Sequence, residues 1–276
     1  MKIQKGMVAA ITGAGGGIGR CVAQALAARG VNLALADIDQ AALEQSKAAC
    51  AASGVNISLH ICDVSSNESV EAFAAEVLAE HGKVNILDNN AGITIQKSFE
   101  THTLADWERM MGINVMGVVY GCRAFLPVLK DAAKNDGAHI INMSSMAGFV
   151  GLPNQATYSS AKAAVRAISE TLYAELAHDN IGVTSVHPGM INTDMILATL
   201  DESDDVKQAE KSYKMVKKMG IPPEYAAQRI VRAIEKNHLR IRIGKDAIIV
   251  DILKRLLPVG FNKLLPKIAA KARGQK

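Results

Sequence analysis

Apolar residues recur along this chain as short dense runs, separated by longer stretches in which they return every three or four positions. The runs Met7–Thr12, Asn32–Ala36, Asn56–Cys62, Val84–Asp88, Ala138–Met143 and Gly182–His187 read as buried strands. The stretches after Gly19, over Gln40–Ala52, over Asn67–His81, over Thr103–Lys134 and over Ala156–His178 read as helices. Strand and helix alternate with no linker and no internal repeat. That order predicts right-handed crossovers and one mostly parallel, doubly wound sheet with helices on both faces.

Beyond Gly244 the pattern changes. Ile249, Ile252, Leu253, Leu256 and Leu257 recur at helical spacing, and Asp251, Lys254 and Arg255 are expected on the opposite side. Pro258 and Gly260 break this helix, while Phe261, Leu264, Leu265 and Ile268 continue the apolar theme. The expected organisation is therefore one α/β domain over residues 1–245, with a substrate lid at about 192–220, followed by a basic amphipathic extension over 246–276.

Composition narrows the classes. Of 276 residues 49% are hydrophobic, enough for one large core, and no run of eighteen uncharged apolar residues suggests a membrane span. The first apolar run leads into glycines and not into a cleavage site, so no signal peptide is expected. Cys21, Cys50, Cys62 and Cys122 form no C-x-x-C pair and the seven histidines no ligand spacing. Reduced thiols, no metal site and a cytoplasmic location follow as expectations.

The net charge of +4 is uneven. Residues 240–276 hold ten Lys/Arg against Asp246 and Asp251, leaving −4 on the rest. The tail is expected either to pack on its own or a neighbouring subunit or to touch an anionic membrane. Basic residues accompanied by a hydrophobic face and no stacking aromatics argue against nucleic acid.

Candidate chemistry gathers at the strand ends. Thr12-Gly13-Ala14-Gly15-Gly16-Gly17-Ile18-Gly19 lies between a strand and a helix, and Gly13, Gly17 and Gly19 have the spacing of a dinucleotide turn. Asp37 ends the second strand eighteen residues after Gly19. A carboxylate there suits the ribose hydroxyls of NAD and repels the 2′-phosphate of NADP, with no Lys or Arg at positions 38–40 to offset it. Its competing role is a helix N-cap, which Asp39 fills equally well. Asp63 and Val64 end the third strand, where they can meet an adenine or cap the next helix.

Tyr158 and Lys162 stand one helical turn, roughly 6 Å, apart on one face. A lysine beside a phenol favours the phenolate, and moving a tyrosine from its usual pKa near 10 to neutrality takes about 4 kcal/mol. Taken alone, the pair reads as a surface tyrosine beside a solvated lysine. The company it keeps overturns that reading.

Together these residues resemble the short-chain dehydrogenase/reductase family over about residues 5–245, with its Rossmann-like fold. Its T-G-x-x-x-G-x-G turn falls on Thr12, Gly13, Gly17 and Gly19, its N-N-A-G on Asn89, Asn90, Ala91 and Gly92, and its Y-x-x-x-K on Tyr158 and Lys162. The resemblance implies Tyr158 as acid/base, Lys162 as the group that lowers its pKa and holds the nicotinamide ribose, and Ser145 as donor to the substrate oxygen. It further implies Asn114 as the holder of a relay water, Pro188, Gly189, Ile191 and Thr193 around the carboxamide, Asn90 at the nearer ribose, and Asp63 and Val64 at the adenine. Apolar loops at Ile93, Ile95, Met146, Phe149, Val150, Leu152, Met190, Met195, Ile196 and Leu197 suggest an apolar secondary alcohol or ketone.

The long helices imply a homodimer or homotetramer. The rival readings are an NADP-preferring ketone reductase and a non-catalytic NAD-binding sensor or scaffold. Asp88 departs from the family, which is usually apolar at that position.

Overall fold

The computed structural model describes residues 1–197, 200, 203–266 and 270. Seven strands, β1 (Val8–Thr12), β2 (Asn32–Asp37), β3 (Ile57–Ile61), β4 (Ile86–Asn89), β5 (Ala138–Met143), β6 (Ile181–Pro188) and β7 (Arg240–Ile243), pair in parallel in the order β3-β2-β1-β4-β5-β6-β7. Strands buried on both faces need no polar alternation, and β1, β4, β5 and β6 are buried at every position. The order reverses between β1 and β4, which opens a crevice at the carboxyl ends of those strands.

Helices α1 (Gly17–Ala27), α2 (Gln40–Cys50), α3 (Asn67–His81), α4 (Leu104–Met111), α5 (Gly117–Ala133) and α6 (Ala156–Glu175) follow the strands in turn. Then come α7 (Val206–Met219), α8 (Pro223–Lys236) and α9 (Lys245–Leu256). Residues of α1, α2 and α8 fill one core beneath the sheet, and those of α3, α5 and α6 fill the other. The caps are local and conventional. Asp39 accepts from Ala42 N at α2, Ser66 from Ser69 N at α3, and Thr103 and Asp106 form a capping box at α4.

The expected helix over 103–134 is present, but one π turn, Gly112–Met116, interrupts it between α4 and α5. The strand β7 went unforeseen, because alternating arginine and isoleucine reads as polar. In the tail helix the side that carries the acid faces the domain. Ala247 and Asp251 are buried while Ile249, Ile252 and Leu256 are exposed, because Arg242 and Arg240 on β7 draw the Asp251 carboxylate inward at 2.8 and 3.7 Å. All four cysteines are free and buried.

Asp88 is fully buried, its register partners being Ile11 and Ile141, and neither carboxyl oxygen has a hydrogen-bond partner. Burial alone pushes its pKa up to about 8. Asn85, by contrast, is satisfied, accepting from Val8 N at 3.1 Å and donating to Gly137 O.

Candidate active site

A cavity of about 500 Å³ runs along the carboxyl ends of the strands, from Asp37 to Tyr158. Its floor is the glycine turn. Gly13 and Gly17 take positive φ (63° and 53°), and a side chain on Gly13 would lie 2.7 Å from the Ala91 Cα. Around Gly16 nothing comes within 4 Å of an added Cβ, so that side of the turn is open. Helix α1 has neither a side-chain cap nor an acid in its first turn, which leaves its first N–H groups and the positive end of its dipole free for an anion. Gly19 does not line the cavity. A Cβ there would stand 2.4 Å from Gly13 O, so this glycine permits the helix to approach the turn.

Asp37 lines one end. Its Oδ2 accepts from Gly15 N at 2.9 Å and its Oδ1 from Asp39 N at 3.2 Å, while Asp39 itself caps α2. Asp39 thus fills the cap, and Asp37 stands at the end of the cavity. An open glycine cradle, an uncapped helix start and a carboxylate at the next strand end fit a dinucleotide.

The Asn89–Gly92 turn is tied to this floor. Asn90 Nδ2 donates to Thr12 O and Gly13 O, each at 3.0 Å, while Thr12 Oγ1 accepts from Asn90 N and Ala91 N. The Asn90 side chain is therefore committed to bracing the glycine turn. Gly92 carries the next constraint: a Cβ there would lie 2.8 Å from Asn114 Oδ1 and 3.3 Å from Lys162 Nζ. Asn114, fully buried on the π turn, accepts from Ile93 N and donates to Ile93 O, both at 2.9 Å. It stands beside Lys162 behind the cavity wall. π turns of this kind recur at functional positions.

Ser145, Tyr158 and Lys162 meet at the other end, with Pro188, Gly189, Ile191 and Thr193 facing them. Tyr158 and Ser145 line the same end of the cavity, and Ser145 Oγ accepts from Ala147 N at 3.1 Å. Lys162 Nζ donates to Met143 O at 2.8 Å and lies 5.6 Å from the Tyr158 ring centre. Burial raises the Tyr158 pKa, and the nearby Ser145 hydroxyl draws it partly back. Burial also lowers Lys162 to about 8. The expectation that the lysine makes the phenol acidic thus finds no counterpart in this arrangement. Lys162 is buried with its ammonium turned to a backbone carbonyl, while Tyr158 is half-buried on the cavity wall.

Other placements differ from expectation. Asp63 and Val64 do not reach the cavity. The Asp63 carboxylate accepts from Ser65 N and Oγ, and Val64 packs 3.1 Å from where a Gly117 side chain would start. Ile95 is buried in a core of its own with Met110 and Val115, and Phe149 stacks on His187 at 4.2 Å. Met146, Leu152, Met190, Met195 and Ile196 do line the cavity, joined by Met215 and Val216 of α7. Leu197 lies outside it.

Sequence reasoning missed His187. Its Nδ1 bonds to Ser145 O and its Nε2 to Ser185 Oγ, each at 2.9 Å. No motif marked it, because an isolated histidine before Pro-Gly carries no spacing signal. No cluster of three or more metal-ligating side chains occurs among the described residues.

The comparisons agree with this geometry. The profile of the short chain dehydrogenase family matches residues 7–204. The Mycobacterium tuberculosis protein SadH, named as an oxidoreductase, is 36% identical over 271 residues, covering 97% of this chain and 96% of that protein. The fatty acyl-CoA reductase of Acinetobacter baylyi is 33% identical, covering 99% and 90%. A short chain dehydrogenase/reductase from Burkholderia phymatum, solved in complex with NAD, superposes with a TM-score of 0.85 at 30% identity, covering 92% of this chain and 95% of that one. Motif, sheet order and relatives converge, and the chain belongs to the short-chain dehydrogenase/reductase family of oxidoreductases.

Proposed function

We propose that the protein is an NAD-preferring oxidoreductase that interconverts a secondary alcohol and a ketone of substantial apolar surface. The observation that carries this reading is the convergence of Ser145, Tyr158 and Lys162 at one end of a cavity whose other end is Asp37. A bound nicotinamide would supply or accept the hydride.

The chain's own groups would hold the cofactor and handle the proton. The glycine turn from Gly13 through Ile18 offers N–H groups to the diphosphate, and Asp37 accepts from the adenosine ribose and repels a 2′-phosphate. Ile191 and Thr193 stand where the carboxamide can be held. Burial keeps the Tyr158 phenol protonated at neutral pH, so in ketone reduction Tyr158 donates its proton to the substrate oxygen. Ser145 Oγ stabilises charge developing on that oxygen. Lys162 and Asn114, adjoining across Gly92, suit the return of a proton from the interior side.

The substrate end is lined by Met146, Leu152, Met195, Ile196 and Met215, and among the described residues the only cation on the cavity wall is Lys162. Without an arginine clamp, a neutral substrate fits better than a carboxylate. Methionines accommodate varied apolar shapes. The similarity to a fatty acyl-CoA reductase points the same way. A homodimer or homotetramer built on α4–α5 and α6 completes the reading.

A panel of diols, sugars, fatty alcohols, steroids and the matching ketones, assayed with NAD and NADP by absorbance of the reduced nicotinamide, tests it. Turnover of apolar secondary alcohols with NAD is expected. An NADP advantage in kcat/KM would overturn the assignment of Asp37. Tight NAD binding with no turnover of any compound would favour a sensor.

A further inference from the structure

Helix α9 is amphipathic in the inverse sense. Its inward positions, Ala247 and Asp251, hold an acid, and its outward positions hold isoleucine and leucine. Asp251 is 2% exposed and paired with Arg240 and Arg242, whereas Ile249, Ile252 and Leu256 are 54%, 43% and 72% exposed. The apolar surface continues past the helix through Leu257 and Val259, at 49% and 68%, to Leu264. A helix that hides its carboxylate and shows its aliphatic side chains is built for a further contact.

Charge identifies the contact. Residues 245–266 contain two acids, and both are engaged internally. The Asp246 carboxylate accepts from Met190 N at 2.7 Å and Ala247 N at 2.9 Å, and Asp251 is held by the two arginines. The cations face outward. Lys245, Arg255 and Lys263 are exposed, and Lys254 Nζ donates only to neutral oxygens, Pro258 O and Asn262 Oδ1. The outer surface is therefore aliphatic and basic, with no free carboxylate.

We propose that α9 and the segment through Leu264 form a docking face for an anionic lipid bilayer, with the aliphatic side chains entering the interface and the basic groups meeting lipid phosphates. Aliphatic residues flanked by Lys and Arg are what such an interface accepts. A second copy of the chain is a poorer occupant. A two-fold contact through this face would set one acid-free basic strip against another. The docking face is also joined to the candidate active site, because Asp246 holds the backbone of Met190, a residue of the cavity wall. The proposal does not depend on the substrate reading, and its readout is independent of turnover.

The test is co-sedimentation of the full-length protein with vesicles of phosphatidylcholine alone and of phosphatidylcholine mixed with phosphatidylglycerol. Pelleting is expected only with the anionic vesicles and should fall as salt rises. Ile249→Glu/Ile252→Glu should lose most of the pelleted fraction with an unchanged circular dichroism spectrum, both positions being exposed. Arg255→Gln should weaken partitioning roughly fivefold, the equivalent of about 1 kcal/mol. If the double variant misfolds, the wild-type salt series and Arg255→Gln still decide. Equal pelleting with both vesicle types, or none with either, would overturn the proposal. So would sedimentation velocity in which the double variant breaks a wild-type oligomer that itself fails to pellet, since a second copy would then cover the face.

Discussion

His187 holds Ser145 by its backbone. A carbonyl can only accept, so the imidazole carries its proton on Nδ1 and donates it to Ser145 O, while Nε2 accepts from the Ser185 hydroxyl. Burial lowers the His187 pKa to about 3, so the ring is neutral across the working range and this tautomer is fixed. From the other side Lys162 holds Met143 O, and Ser144 Oγ donates to Lys162 O. The segment that presents the serine is thus clamped at both ends.

His187→Leu is expected to lower kcat about tenfold or more with little change in KM, since a lost hydrogen bond and an orphaned carbonyl cost about 1–2 kcal/mol and shift the serine. His187→Asn, which keeps an N–H donor, should recover part of the loss. Steady-state kinetics of the two variants check this, and equal rates for wild type and His187→Leu would refute it.

Tyr158→Phe should lower kcat by about a hundredfold to ten-thousandfold, the usual contribution of a positioned acid or base. NAD affinity, followed by fluorescence titration, should change far less.

The pH profile should carry the mark of Lys162. Its ammonium is charged below about pH 8 and neutral above it. Turnover is therefore expected to decline as the pH rises through that value. Lys162→Arg, at whatever lower rate, should lose that limb because the guanidinium stays protonated. A limb that persists in the arginine variant would assign it elsewhere.

Asp88 predicts a stability that depends on pH. Its folded pKa, about 8, lies above its ordinary 3.8, so the folded protein keeps a proton that the unfolded chain releases. The group's contribution is complete below about pH 3.8, falls by about 1.4 kcal/mol per pH unit above that, and is gone beyond about pH 8. Asp88→Val should flatten the profile over this window and stabilise the protein by about 4 kcal/mol at pH 7. Urea denaturation across the range measures it, and an unchanged slope would count against the burial argument.

Asp37→Asn keeps an acceptor for Gly15 N and removes the charge. The ratio of kcat/KM for NADP to that for NAD should rise about tenfold to a hundredfold, in line with the roughly 1.5–3 kcal/mol of hydrogen bonds to a charged group.

What could be read from the sequence was whatever rests on local pattern. Helix α3 and strand β5 fall where periodicity puts them, because a serine cap and a left-handed Gly82 bound the one and burial on both faces defines the other. Gly13, Asp37 and Ser145 line one cavity, as their positions at strand ends imply, and helix α6 brings Tyr158 to it. What depends on distant partners was hidden. Nothing near Asp251 announces that arginines on the last strand turn it inward. Asn114 was found, but the π turn that aims it away from the cavity and toward Ile93 leaves no sequence trace.

The last strand of the sheet pairs on one side only, and its two arginines find their carboxylates on α6 and α9, at Glu170 and Asp251. A chain cut at Gly244 would leave Arg242 without its counter-ion and strip away the helix that is ion-paired to that edge. Bare strand edges recruit strands from other molecules. The shortened protein should accordingly be lost to aggregation, so the C-terminal helix keeps stray strands from that edge as well as meeting whatever it touches outside.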